Sequence, residues 1–166
     1  MKQRTCCKIV MDGRQMWMKE IDLKPRVLFL CTHNSARSQM AEGLLRQEGR
    51  GKIDSFSAGT MATHVRPEAI AVMNELGIDI SQQQSKKLDE YINQRFDYVI
   101  TVCDSANESC PIFPNAQNRV HWSIDDPGSA VGDEAQRLVA FRLARDELKH
   151  RITSDLLPNV ERQSGS

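Results

Sequence analysis

Arg26-Val27-Leu28-Phe29-Leu30-Cys31-Thr32-His33-Asn34-Ser35-Ala36-Arg37-Ser38 is the stretch that decides the architecture. Val27 to Leu30 is a short, uninterrupted apolar run, the pattern of a strand buried on both faces. Cys31 stands at the exit of that strand. Beyond a polar loop, Met40, Ala41, Leu44 and Leu45 recur at helical spacing as far as Gly49, a residue type that suits a helix stop. Strand, loop and helix in that order open an α/β unit, so the fold begins near Arg26.

The same alternation continues downstream. A second strand is expected across Ile53 to Ala58, and a helix opening at Pro67, with Ile70, Met73 and Leu76 on its inner face and Gly77 as its stop. Leu88 to Asn93 suggests a short helix, and Tyr98 to Val102 a third buried strand with Cys103 at its exit. Val120-His121-Trp122 suggests a fourth. Asp133 and Gln136 resemble a capping pair that opens the last helix, whose stripe is Leu138, Phe141, Leu148 and Ile152. The expectation is one α/β domain over residues 25–160, a four-stranded parallel sheet with helices on both faces and functional loops beyond the carboxyl ends of its strands. Residues 1–24 show no sustained periodicity and read as a flexible N-terminal extension in which Met11, Met16 or Met18 could be a start; residues 161–166 read as a flexible tail.

At 166 residues the chain has room for one domain with a proper core. Its 22 basic residues balance 22 acidic ones, so no global field draws it to nucleic acid or an anionic membrane, and any anion site must be local. No apolar run is long enough for export or membrane spanning, which points to the cytoplasm. Five unevenly placed cysteines do not form a secreted disulfide framework and suit a reducing compartment. His33, His64, His121 and His150 show no paired spacing that would complete a zinc site with the cysteines, so no metal is expected.

The loop from Cys31 to Arg37 places a thiol and a guanidinium at its two ends, between a buried strand and a helix. A helix start leaves backbone N–H groups unpaired and carries partial positive charge, so Thr32, His33, Asn34, Ser35, Ala36, Arg37 and Ser38 can curl around a tetrahedral oxyanion. The Arg37 fork can hold two of its oxygens. The same field favours a thiolate at Cys31, lowering its pKa, and Ser38 can donate a hydrogen bond to the sulfur. The bland alternative is a buried strand cysteine and a surface arginine, because Cys-x5-Arg alone is a loose pattern.

Cys31 through Gly43, as Cys-Thr-His-Asn-Ser-Ala-Arg-Ser-Gln-Met-Ala-Glu-Gly, resembles the signature of arsenate reductases built on the low-molecular-weight protein tyrosine phosphatase fold. The resemblance extends through Ser57-Ala58-Gly59, Thr101-Val102-Cys103 and Asp125-Asp126-Pro127, covering roughly Arg26 to Pro158. It implies that Cys31 attacks arsenate, that Arg37 binds it and that Asp126 is the general acid. Pro127 restrains Asp126 to an extended conformation, although Asp125 is a neighbouring candidate and either could be an ordinary turn carboxylate.

Phosphate, sulfate and arsenate can occupy one loop, so the remaining thiols must separate the chemistries. By resemblance, a first disulfide joins Cys31 to Cys103, Cys110 then attacks Cys103, and thioredoxin reduces the resulting Cys103–Cys110 disulfide. No cofactor is implied. Cys6 and Cys7 match nothing in the family. Some relatives hold a monovalent cation near the loop through Asn34 and Glu42; here Lys86 stands where a further carboxylate would help, and no strong cation site is expected. A tyrosine phosphatase using the same Cys31, Arg37 and Asp126 is the competing enzyme reading. Against it, Gly128 and Ser129 follow the Asp-Pro pair where that group has tyrosines, and the segment 59–63 has no aromatic. A redox-sensing or anion-binding module is the non-enzyme alternative.

Overall fold

The computed structural model describes residues 8–11, 14–17, 24–104 and 112–164; Cys6, Cys7 and Cys110 lie outside the described residues. Ahead of the domain, strands β1 (Lys8–Met11) and β2 (Arg14–Trp17) pair antiparallel, with Lys8 opposite Trp17 and Met11 opposite Arg14. This pairing was not read from the 1–24 segment by periodicity, yet the dipeptide between the strands is Asp12-Gly13, a strong short-range hairpin signal.

The domain is built on β3 (Arg26–Cys31), β4 (Asp54–Gly59), β5 (Phe96–Thr101) and β6 (Ala116–His121), a parallel sheet in the order β4-β3-β5-β6. Side chains alternate across β3. Val27, Phe29 and Cys31 enter a large core with Met40 and Leu44 of α1 (Arg37–Glu48), Val72 and Met73 of α2 (Pro67–Asn74), and Phe141 and Leu148 of α3 (Glu134–Arg151). Leu28 and Leu30 face a smaller core with Ala58, Tyr91, Phe96, Val99 and Phe113, beneath a single 3-10 turn at Leu88–Glu90. The continuous apolar run of β3 is therefore the run of a central strand with both faces covered. In β6, by contrast, half-buried and exposed residues alternate, as befits an edge.

Helix ends follow the expected signals with one displacement. Asp133 accepts from the Gln136 N–H while the Gln136 side chain accepts from the Asp133 N–H, a complete capping box. At the end of α2, Gly77 takes φ +73°, and the Ile78 N–H reaches the Met73 carbonyl at 3.1 Å. This stop throws Leu76 out of the inner face: it is 37% exposed, and Ala69, Val72 and Met73 do the packing instead. The expected helix over Leu88–Asn93 shrinks to its 3-10 turn. After α3, a π-helical turn at Ile152–Leu156 leads into α4 (Leu157–Ser164), so the chain from Glu161 to Ser164 is helical where a flexible tail was expected. Among the described residues no helix is long and apolar enough to cross a membrane.

Strand order reverses direction around β3 and β5, because β4 lies on one side of β3 and β5 and β6 on the other. A crevice at the carboxyl ends of such strands is the general ligand position of open α/β sheets. Cys31 ends β3, and Cys103 follows β5 by two residues.

Candidate active site

The loop after β3 is shaped from below by a glycine. Cys31 pairs with Gly59 in the sheet register, and a Cβ at Gly59 would lie 2.7 Å from the Thr32 carbonyl oxygen and 2.8 Å from the Asn34 nitrogen. Only a residue without a side chain lets the two backbones approach this closely. Thr32 is fixed further by the Met61 N–H and the Thr60 hydroxyl, both donating to its carbonyl.

Asn34 turns the loop at φ 47°, a left-handed conformation that asparagine tolerates, and its fully buried side chain is the hub of the site. Its amide nitrogen donates to the Ser38 hydroxyl at 2.8 Å, and its amide oxygen accepts from Gln39 Nε2 at 2.9 Å and the Lys86 N–H at 2.7 Å. Ser38 Oγ lies 2.8 Å from Cys31 Sγ. With the Asn34 amide already donating to that hydroxyl, the Ser38 hydrogen is left for the sulfur, and the Asn34 N–H adds a second contact at 3.1 Å. Gln39 is itself clamped by Gln83, whose Nε2 donates to its backbone and side-chain oxygens. Thus Gln83, together with the Gln84 carbonyl that accepts from Gln39 Nε2, braces the loop.

These contacts favour a thiolate, yet the net direction for Cys31 is upward. Burial of a sulfur on a residue only 4% exposed pushes the thiol above its ordinary value; the Ser38 hydroxyl and N–H pull it down, Cys103 pushes it up, and the Asn34 N–H pulls it down. The lowered pKa expected from the loop is corrected here, because desolvation outweighs the donors.

Cys31, His33, Ser35, Ala36, Arg37 and Asp126 line one small cavity of about 50 Å3, together with Arg66. Of the expected binding loop, Thr32, Asn34 and Ser38 are not on this wall; the latter two sit beneath it, holding the sulfur. Arg37 opens α1, and its preceding residue Ala36 supplies no side-chain cap, so the first-turn N–H groups are not consumed by one. Its Nη1 donates to the Ile124 carbonyl at 2.8 Å and its Nη2 lies 3.4 Å from Asp126 Oδ1. Asp126 is extended, as its place before Pro127 dictates, and half exposed; Asp125 is absent from the wall.

Cys103 lies across the strand boundary. Leu30 pairs with Thr101, so the residues after them run side by side, and Thr32 Oγ1 is 3.5 Å from Cys103 Sγ. Cys103 is buried and, like Cys31, a free thiol. Glu42 is buried and carries the Ser57 hydroxyl, Arg46 at 2.6 Å and the Lys86 ammonium at 3.3 Å. Lys86 therefore places a fixed ammonium on the carboxylate discussed above as a cation ligand.

Arg66 escaped the sequence reading. The available signal was Pro67, which marks a helix start and so aims the preceding residue toward the loops. Arg66 also borders an open cleft of about 770 Å3 with His33, Ser35, His64, Glu68, Glu134 and Arg137, a larger space that contains neither Cys31 nor Asp126.

An "Arsenate reductase" of Halalkalibacterium halodurans is 44% identical over 129 residues, 78% of this chain and 93% of the relative. A solved arsenate reductase in its phosphate-binding state superimposes with a TM-score of 0.68 at 35% identity, over 85% of this chain and 97% of the other. A Corynebacterium glutamicum thioredoxin-dependent arsenate reductase gives 0.67 at 27% identity, over 84% and 63%. Residues 26–165 match the low molecular weight phosphotyrosine protein phosphatase family, and the chain belongs to it.

Proposed function

We propose that the protein reduces arsenate to arsenite through a thiol relay regenerated by thioredoxin. The observation that carries this reading is the meeting of Cys31, Arg37 and Asp126 around one anion-sized cavity with a second buried thiol, Cys103, beside the same loop. Kinship with arsenate reductases supports the choice of anion.

In the first step Cys31 Sγ attacks arsenic, and one arsenate hydroxyl leaves as water with a proton from Asp126. Arg37 and the start of α1 hold the remaining oxygens. Cys103 then attacks Cys31 Sγ. The sulfur–arsenic bond breaks with its electron pair remaining on arsenic, which departs as arsenite, and a Cys31–Cys103 disulfide forms. Cys110 displaces Cys31 from Cys103, and the Cys103–Cys110 disulfide is passed to thioredoxin. A compartment that keeps the three thiols reduced, the cytoplasm, suits this cycle.

A phosphatase reading uses the same first step with phosphate esters and needs no relay. Among the described residues no phenylalanine, tyrosine or tryptophan lines either cavity wall, so a phenyl leaving group has little to stack on there. A redox-sensing module needs no turnover at all. The decisive measurement is NADPH oxidation with protein, thioredoxin, thioredoxin reductase and arsenate, against no-arsenate and phosphate controls. Arsenate-dependent multiple turnover is expected. Silence with thioredoxin and with glutaredoxin, alongside hydrolysis of an aryl phosphate, would replace this reading with the phosphatase.

A further inference from the structure

We infer that Arg66 is a second oxyanion-binding arginine, which sets the affinity of the Cys31 cavity for doubly charged tetrahedral anions. The assignment rests on the cavity's being the oxyanion site and goes beyond it by naming the group that makes the site electropositive.

Arg37 alone does not supply that field. Its charge is offset by Asp126 at 3.4 Å, and its Nη1 is committed to the Ile124 carbonyl. Arg66 lines the same cavity and is held there from four directions. Its N–H donates to the Ser35 carbonyl at 2.9 Å, tying it to the anion loop itself. Its Nε lies 3.5 Å from Glu68 Oε2, and its guanidinium lies 5.6 Å from the centre of the Phe141 ring. On the Asp126 side it packs against Gly128, where a Cβ would come within 2.6 Å of Nη1. Among the described residues, neither Nη1 nor Nη2 has a hydrogen-bond partner, so the paired end of the fork is available to an anion.

The charges around it decide the sign. Glu68 is shared between Arg66 at 3.5 Å and Arg137 Nε at 3.6 Å. The charged side chains on the cavity wall are thus two guanidiniums, on Arg37 and Arg66, against one carboxylate, on Asp126, while Glu68 behind Arg66 is balanced by Arg137. One positive charge is left over. Removing Arg66 cancels it, and a thiolate at Cys31 would then leave the cavity net negative toward an incoming dianion.

The test is the affinity of inorganic phosphate, by calorimetry, for the wild-type protein, Arg66→Gln and Glu68→Gln, with arsenate kinetics on each. Arg66→Gln should weaken phosphate about ten- to hundredfold, the loss of charge-assisted hydrogen bonds, and raise the arsenate KM by a similar factor with kcat nearly unchanged. Glu68→Gln should bind phosphate as tightly as wild type or tighter, because it removes an opposing carboxylate. If Arg66 and Glu68 were only a structural brace, both variants would weaken binding alike, and that result overturns the assignment. Unchanged phosphate affinity in Arg66→Gln overturns it too. Should Arg66→Gln not fold, Glu68→Gln decides alone by the direction of its change. Wild-type protein that binds no phosphate would remove the oxyanion site itself, an outcome distinct from failure of Arg66.

Discussion

Cys31 and Cys103 are both buried thiols at the carboxyl edge of one sheet, but their surroundings differ in kind. Cys31 is gripped: Ser38 at 2.8 Å and the Asn34 N–H at 3.1 Å hold its sulfur, and Asn34 is held in turn by Gln39 and Lys86. Among the described residues the Cys103 sulfur has a single hydrogen-bond contact, with Thr32 Oγ1 at 3.5 Å. A sulfur that must meet an anion in one geometry gains from immobilisation. A sulfur that must first meet Cys31 and then Cys110 would lose by it, since each disulfide requires its own close approach. Just after Cys103, the Asp104 carboxylate is held by His121 at 2.9 Å and Ser123 at 3.2 Å.

The contrast breaks most sharply if the two thiols are removed in turn. Cys31→Ser should fold normally and lose arsenate reduction and aryl phosphate hydrolysis together, by several orders of magnitude. Cys103→Ser should lose repeated arsenate turnover just as completely, yet keep aryl phosphate hydrolysis within a few-fold, because it touches the relay and not the cavity. Parallel assays of the two reactions check this. Equal loss of both in Cys103→Ser would mean that Cys103 shapes the anion site, and the gripped-versus-slack distinction would go with it.

Gly59→Ala tests the grip through backbone alone. The added methyl meets the Thr32 carbonyl, the Asn34 nitrogen and the Met61 carbonyl, all closer than 3.0 Å and none of them a flexible side-chain end. The loop must therefore lift, which should cost about 1–3 kcal/mol of stability and reduce both activities about a hundredfold. Thermal unfolding and phosphate affinity report it. Cys103 lies on the far side of β3 from β4, so formation of a Cys103–Cys110 disulfide by a chemical oxidant should be unaffected.

How much of this was legible follows from where each signal resides. The sheet could be read because Val27–Leu30 is apolar without interruption and Tyr98–Val102 is broken only by Thr101, and the final helix because Asp133 and Gln136 are a local pair. Cys31 and Arg37 stand out from one loop and Asp126 through the family resemblance, and the structure brings the three to one cavity. Arg66 was not legible, because its relation to Cys31 exists only after α2 folds back onto the anion loop. Gln83 and Gln84 carry no local signal, since their partner Gln39 is more than forty residues away. The direction of the Cys31 pKa was misread for a related reason: the donors are local in sequence, but the burial that outweighs them comes from the whole core. Leu76 missed its face because the Gly77 stop ends the helical register just before it.

That competition between burial and donors gives the gentlest way to sharpen the comparison. Because the Cys31 thiol lies above its ordinary value, its thiolate is the minor form near neutrality, and the rate of a single arsenate turnover should climb as pH rises through that range. Ser38→Ala removes the strongest influence pulling the pKa down, so the climb should move to still higher pH. Near neutrality the variant should be about tenfold slower, the worth of one hydrogen bond to a charged group, and it should approach the wild-type rate in alkali, where both sulfurs are ionised. Thr32→Val, the matching change beside Cys103, should leave that profile where it is, because the 3.5 Å contact belongs to the other thiol. A single-turnover pH series on both variants decides it. If Ser38→Ala were slower by the same factor at every pH, Ser38 would serve to orient the sulfur and not to ionise it, and the grip on Cys31 would be purely geometric.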